Sequence, residues 1–350
     1  MVIALVVVIG GGTGAYFLFS GGGGKTDTAS GGGGQQPRAS SPKSPDDSTE
    51  LGTLSTLDPC SLVDTSGLGG TADAYPNDLG ACFVYDTPEG SQQITTLSVS
   101  LGVEQLSKVD TSSFTVTKQN KATIVKAQQR NDDTDCFAQV FFASDAYVYI
   151  QAKPDSGNSA PSTSAELCQL ADTATTTVAS KVNSGGVKHL AFPSSSMGSI
   201  NACSLLTAAA VRTAVTGPGT ATPYPGEHSC FWGSDSTTPQ PSAFFGTELD
   251  MVAQQASDSP GETQVTVNGR PTLLTPFPAS GSDTLNSCQA ATPVHTWPSW
   301  LGQMTPTDSG STKLIEYAHV SAAVSGGVVQ ACASAIELAR QAWTKLPAAS

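Results

Sequence analysis

The residue types in this chain that could carry chemistry are eight cysteines, four histidines and many serines. None of the histidines lies in an H-E-x-x-H segment or at an i, i+4 spacing, so a zinc hydrolase is not indicated. No G-x-S-x-G segment occurs, and the one S-x-x-K match, Ser40 to Lys43, lies in a Gly/Ser/Pro-rich stretch that could not hold a nucleophile in place. The glycine runs lack the G-K-[S/T] of a phosphate-binding loop. The sequence therefore predicts no catalytic residue, no cofactor and a protein that is not an enzyme.

The cysteines favour crosslinking over metal binding. Their number is even, no C-x-x-C pair occurs, and the nearest two are 22 residues apart, which is too sparse for a zinc site. The gaps are 22, 54 and 32 residues in the first four and 27, 58 and 44 in the second four, so one short, long, intermediate pattern is written twice. The cysteines are Cys60, Cys82, Cys136, Cys168, Cys203, Cys230, Cys288 and Cys332.

Two pairings remain open within each set of four. Pairing of sequence neighbours is expected, because each bond would then fasten an outer helix to an adjacent strand. The alternative joins the first cysteine to the fourth and the second to the third, which would staple the two helices together and link two strands. The expected bonds are Cys60–Cys82, Cys136–Cys168, Cys203–Cys230 and Cys288–Cys332.

The same order of elements surrounds each set. Asp58 and Asn201 are helix N-caps just before the first cysteine of each set. About six short strands follow, with a tight hairpin at Asn268-Gly269 in the second set and at Gln119-Asn120 in the first. A closing helix begins at a T-x-x-E capping box, Thr163 to Glu166, in the first set. The sequence predicts an α+β fold with two similar domains, 57–183 and 198–347, joined by a linker, 184–197. Each domain has an antiparallel sheet flanked by an N-terminal and a C-terminal helix.

These motifs resemble the actinobacterial envelope proteins that contain domain of unknown function 3558. The resemblance rests on the D-P-C-S-L start at Asp58, the C-F strands at Cys82 and Cys230, the hairpin after Val267, and C-x-x-A before L-P at the end of the second copy. It covers both copies, but its motifs are structural. Members are typically lipoproteins of unknown role, and this chain departs from them in lacking a lipobox. The resemblance implies a bacterial cell-surface location and no particular reaction.

The first residues predict a membrane anchor. Residues 1–20 contain no charged side chain and are long enough to form one transmembrane helix, a signal-anchor, with a cleaved signal peptide as the alternative. Residues 21–56 hold two runs of four glycines and predict a disordered Gly/Ser/Pro linker. The expected location is the cell membrane, with a single pass and the bulk of the chain extracytoplasmic.

The charge balance and the aromatic residues bear on partners. A net charge of −13 excludes a nucleic-acid partner, since phosphate backbones would be repelled. His295, Trp297 and Trp300 lie in the longest insertion of the second copy. They could grip an envelope protein, a glycan or a small ligand, or they could cover the edge of the sheet. The expected function is a non-catalytic binding or envelope module; a hydrolase using the interdomain cleft and a spacer or accessory subunit of a membrane complex are the alternatives.

Overall fold

The structure is a computed structural model of the 350-residue chain. It describes residues 47–48, 50–68, 70–88, 95–103, 106–109, 111–112, 114–127, 135–143, 146–154, 163–217, 219–233, 240–250, 261–280, 284–297 and 314–348. The predicted transmembrane segment, 1–20, lies outside these residues. None of the helices within them is long and apolar enough to cross a membrane.

Two seven-stranded antiparallel sheets form the body of the protein, and both have the same strand order. In the first sheet the order is β3-β4-β5-β9-β8-β7-β6, and in the second it is β10-β11-β12-β16-β15-β14-β13, which is the same permutation. A two-residue ladder of β1 and β2 precedes them. The strands are β1 (Asp47–Ser48), β2 (Gly52–Thr53), β3 (Gly70–Asp78), β4 (Ala81–Pro88), β5 (Thr95–Val103), β6 (Phe114–Gln119), β7 (Ala122–Ala127), β8 (Cys136–Phe141), β9 (Ala146–Pro154), β10 (Ala221–Pro223), β11 (Cys230–Trp232), β12 (Ser242–Asp250), β13 (Thr263–Val267), β14 (Arg270–Phe277), β15 (Asn286–Trp297) and β16 (Leu314–Val324).

One long helix closes the first half. Helix α1 (Ser164–Ser184) begins at the predicted capping box, in which the Thr163 hydroxyl accepts from the Glu166 N–H and the Glu166 carboxylate accepts from the Thr163 N–H at 2.7 Å. It ends at Gly185, whose φ of 69° is a left-handed cap. Its inner stripe, which includes Leu167 and Val178, is buried against the first sheet as predicted.

The second half has two α-helices, and the predicted stripe of the last one needs a correction. They are α2 (Ala208–Val215) and α3 (Val328–Ala342). The stripe was expected to include Val329, but that side chain is 82% exposed. The buried face instead includes Ala331 and Leu338. Val329 precedes Ala331 by two residues, which is about 200° round the helix.

The N-terminal helix predicted for the first domain is absent from the described residues. Three short 3-10 turns stand in its place, at Leu54–Thr56, Pro59–Leu62 and Thr65–Gly67. Asp58 caps the middle turn by accepting from the Cys60 N–H at 3.1 Å. Val63 then returns to extended backbone, and no apolar stripe of helical period follows to propagate a helix. The predicted first hairpin also shifts by one residue, because its turn is Asn120-Lys121.

All eight cysteines form disulfides, so that prediction is confirmed. In each half, one bond joins the turn before the sheet to the second strand, and another joins the sixth strand to the closing helix. The bonds link sequence neighbours, the first of the two pairings considered above. They are Cys60–Cys82, Cys136–Cys168, Cys203–Cys230 and Cys288–Cys332.

The segments predicted as linkers are ordered near the junction of the two halves. Leu51 and Leu54 are buried in the first core, so the end of the 21–56 linker belongs to it. Residues 188–190 of the 184–197 linker pair with residues 56–58, through the Leu57 to His189 bridge. Leu190 packs into the second core. Leu79, in the turn between β3 and β4, is also fully buried in that second core, so the two halves share packing.

Candidate functional site

The structure brings two of the three predicted ligand-binding residues together at the end of β15. The rings of His295 and Trp297 lie 4.8 Å apart and nearly perpendicular. Trp300 lies outside the described residues. A β-bulge between Pro293 and His295 shifts the strand register, so that His295 pairs with Glu316 and Trp297 with Leu314. Paired residues share a face of the sheet, so both aromatic side chains turn toward the core side.

Glu316 is a fully buried carboxylate at the centre of this corner. Its oxygens accept from the Ser196 hydroxyl at 2.9 Å, from the Trp297 indole N–H at 3.0 Å and from the Met197 backbone N–H. Burial raises the pKa of Glu316, while the three donors oppose that rise. The carboxylate therefore fastens both the interdomain segment and the indole to β16.

The interdomain segment meets the corner in a short 3-10 turn, Met197–Ser199. Ser196 caps this turn, since its hydroxyl accepts from the Gly198 N–H at 3.0 Å. A Cβ added at Gly198 would lie 2.3 Å from the ring of Phe192, so only glycine allows that ring to pack here. The Phe192 ring in turn contacts Trp297 edge-on at 6.2 Å.

Ser195 and His295 form the contact that most resembles a catalytic pair. The Ser195 hydroxyl lies 3.2 Å from Nδ1 of His295. Partial burial lowers the pKa of His295, which favours the neutral ring that a general base requires. A hydrolytic triad also needs a carboxylate to orient the imidazole. The nearby Glu316 carboxylate serves the donors of Ser196, Met197 and Trp297 instead.

The corner extends to the junction of the two halves through His228. This side chain is buried and meets the Phe192 ring edge-on at 5.6 Å. Burial lowers the pKa of His228 to about 4, and the backbone of Ser55 in the first half opposes this slightly. Gly226, at a φ of 80°, approaches the Leu54 carbonyl so closely that an added Cβ would lie 3.2 Å from it. The first half therefore walls one side of the corner.

The four histidines are dispersed, and none of them shares a site with another. His189 contacts the Thr56 hydroxyl at 2.9 Å through Nδ1. His319 is buried on the other face of the second sheet, stacked on Phe244 at 5.6 Å, and burial lowers its pKa to about 4. Within the described residues no three His, Cys, Asp or Glu side chains converge as metal ligands.

A shallow depression of about 560 Å³ runs along the outer face of α1 between Ala165 and Thr177. Its polar lining offers little to a ligand. The hydroxyls of Thr173 and Thr176 donate to the carbonyls of Gln169 and Asp172 one turn earlier in the same helix. We therefore place the candidate site at the corner of β15 and β16.

Sequence reasoning found part of this corner and missed the rest. His295 and Trp297 were named because the insertion is rich in aromatics. Glu316, Ser195 and Phe192 were not, because their partners lie about a hundred residues away and the segment 184–197 carries no periodic pattern. The one available signal was an acidic residue, Glu316, in an otherwise apolar strand.

No protein-family model, no curated protein and no solved structure matches this chain. The resemblance drawn above from the cysteine motifs stays a prediction.

Proposed function

We propose that this protein is a membrane-tethered extracytoplasmic binding module of the bacterial cell envelope. The single observation that carries the location is the engagement of all eight cysteines in disulfides, which persist in oxidising compartments and are rare in the cytosol. The tether is residues 1–20 with the linker that follows, and the two sheets present the binding surface.

The corner of His295 and Trp297 supports the binding role. Both side chains are partly exposed, and both are held in place, His295 by Ser195 and Trp297 by Glu316. A rigid aromatic residue costs little conformational entropy when it binds a partner. The indole N–H already serves Glu316, so a ligand would meet the ring of Trp297 and the imidazole of His295. An envelope protein, a glycan and a small ligand all fit this description.

The proposal is tested by pull-down of the tethered protein from its own cell envelope. The matched pair is His295→Ala, which removes the exposed ring, and Thr296→Ala, which changes the neighbouring side chain on the opposite face. We expect a retained protein or glycan that His295→Ala loses and Thr296→Ala keeps. Equal capture by both variants, or empty beads with the intact chain, would contradict the proposal.

A hydrolase is the second candidate, and the contact of Ser195 with His295 is the observation that favours it. An active serine would react with a fluorophosphonate probe, and Ser195→Ala would abolish the labelling. Ser194→Ala, which changes the adjacent serine, is the matched control. Absence of labelling in the intact chain would favour the binding role, because Glu316 is engaged with other donors.

The spacer alternative predicts a broad apolar face. In the part of the chain that the structure describes, the exposed large apolar side chains are Val116 on β6 and Val329 on α3. They belong to different halves, so they do not form one face, and the spacer reading gains no support from them.

A further inference from the structure

The edge strand β6 leaves both of its faces open. It is the last strand of the first sheet, paired on one side with β7. Every residue from Thr115 to Gln119 is exposed, and Val116 is 44% exposed. Among the described residues no strand lies on its outer side. A long exposed edge of this kind is a template for another strand.

The hairpin turn determines which backbone groups of β6 point outward. Asn120 and Lys121 form a two-residue turn, with Asn120 at a φ of 50° within one degree, that is 49°. The flanking pair Gln119 and Ala122 exchanges hydrogen bonds, and the alternation of an antiparallel ladder then makes Val116 and Lys118 non-bonded toward β7. Their N–H and C=O groups therefore face away from the sheet. The Phe114 N–H, of the same set, indeed bonds outside β7, to the Thr111 carbonyl at 3.1 Å.

The charge of the hairpin is opposite to that of the whole protein. Residues 114–127 contain three lysines and no acidic residue, whereas the chain carries a net charge of −13. Lys126 pairs with Asp172 of α1 at 2.5 Å. Lys118 and Lys121 are exposed at the end of the hairpin. A second copy docking edge to edge would bring like charges together, while an acidic segment would be attracted.

The other sheet edges are less open than β6. Strand β3 contains Pro76 and a register shift beside it, and β10 is three residues long and ends in Pro223. Proline and irregular pairing both protect an edge. Strand β13, the counterpart of β6, is fixed at its turn because Asn268 Nδ2 donates to the Arg340 carbonyl of α3 at 2.5 Å. Its Val267 is buried in the second core.

We propose that β6 is a docking edge for an extended acidic segment of a partner protein, which adds to the first sheet as an eighth strand. The N–H and C=O groups of Val116 and Lys118 bond the added backbone. The ammonium groups of Lys118 and Lys121 face its carboxylates. This inference goes beyond the proposed function and does not depend on the corner of His295 and Trp297.

The experiment uses the full chain and a fluorescein-labelled peptide in which glutamate alternates with threonine and valine. Binding is followed by anisotropy. Val116→Pro removes the outward N–H without breaking the ladder to β7, and Val116→Thr is the matched control that keeps the N–H. We expect Val116→Pro to weaken binding about tenfold or more and Val116→Thr to change it about twofold at most. Amide hydrogen exchange at Val116 and Lys118 should slow when the peptide binds.

Several outcomes would overturn the proposal. Absence of peptide binding to the intact chain is one. Equal binding by Val116→Pro and the intact chain, or binding without protection of the two amides, would show a purely electrostatic surface of the kind an anionic glycan or lipid uses. Self-association of the intact chain that Val116→Pro abolishes would assign the edge to a second copy. The thermal melting of both variants checks that the fold is intact.

Discussion

The indole N–H of Trp297 donates a 3.0 Å hydrogen bond to the carboxylate of Glu316. The two residues lie on neighbouring strands, 19 positions apart in sequence. This bond fixes an aromatic side chain that would otherwise rotate at the end of a strand. It also ties the orientation of the candidate binding corner to a buried charge.

Replacing Glu316 should destabilise the protein strongly. Glu316→Ala would leave three buried donors without an acceptor, and each such group costs about 1–3 kcal/mol. We expect the free energy of unfolding in urea to fall by about 3 kcal/mol or more, with a shift in tryptophan emission. Glu337→Ala, which removes an exposed carboxylate paired with Arg340, is the control and should cost about 0.5 kcal/mol at most. A loss from Glu316→Ala no larger than that of the control would contradict the structural role.

Stability should depend on pH through His228. Burial lowers its pKa to about 4, below the value of about 6.5 in the unfolded chain. The folded state therefore binds its proton less readily than the unfolded state. The contribution is complete above pH 6.5 and is lost as the pH falls toward 4, amounting to about 3 kcal/mol at most.

The measurement for His228 is the free energy of unfolding between pH 7.5 and pH 4.5. We expect His228→Gln to reduce the loss of stability on acidification, although the buried His319 keeps part of it, since its pKa is lowered in the same direction. Thr220→Ala, an exposed and non-titrating change, should retain the whole dependence. An unchanged slope in His228→Gln would show that this histidine titrates alike in both states.

Leu79 should couple the two halves of the protein. Its side chain comes from the β3–β4 turn and is fully buried in the second core. Leu79→Ala should lower the free energy of unfolding of the second half by about 3 kcal/mol, because it leaves a cavity there. Fluorescence of the buried Trp232 and Trp343 reports that half directly. The exposed Val116→Ala is the control, and equal melting of the two variants would contradict the coupling.

The features predictable from sequence are those encoded locally. The Thr163 capping box and the Asn268-Gly269 hairpin are both present, because each is specified within a few residues. The spacing of the cysteines marked the duplication, and the two sheets share one strand order. The opening helix of the first half was wrong because Asp58 and Pro59 start a turn but cannot sustain it.

The features that sequence could not supply are long-range contacts. The partners of Glu316 come from a segment about 120 residues earlier. Leu79 is a single apolar residue between Asp78 and Gly80 in a tight turn, and nothing local shows that it enters the other half. Such contacts depend on how the two sheets pack, which hydrophobic periodicity within one element does not encode.

The central claim is that the cysteines crosslink a duplicated scaffold outside the cytosol. The most direct measurement titrates free thiols on the denatured, unreduced protein purified from the envelope, followed by mapping of linked peptides. The account predicts a titre near zero out of eight and the four links between sequence neighbours. A titre near eight, or links from Cys60 to Cys168 and from Cys82 to Cys136, would contradict it.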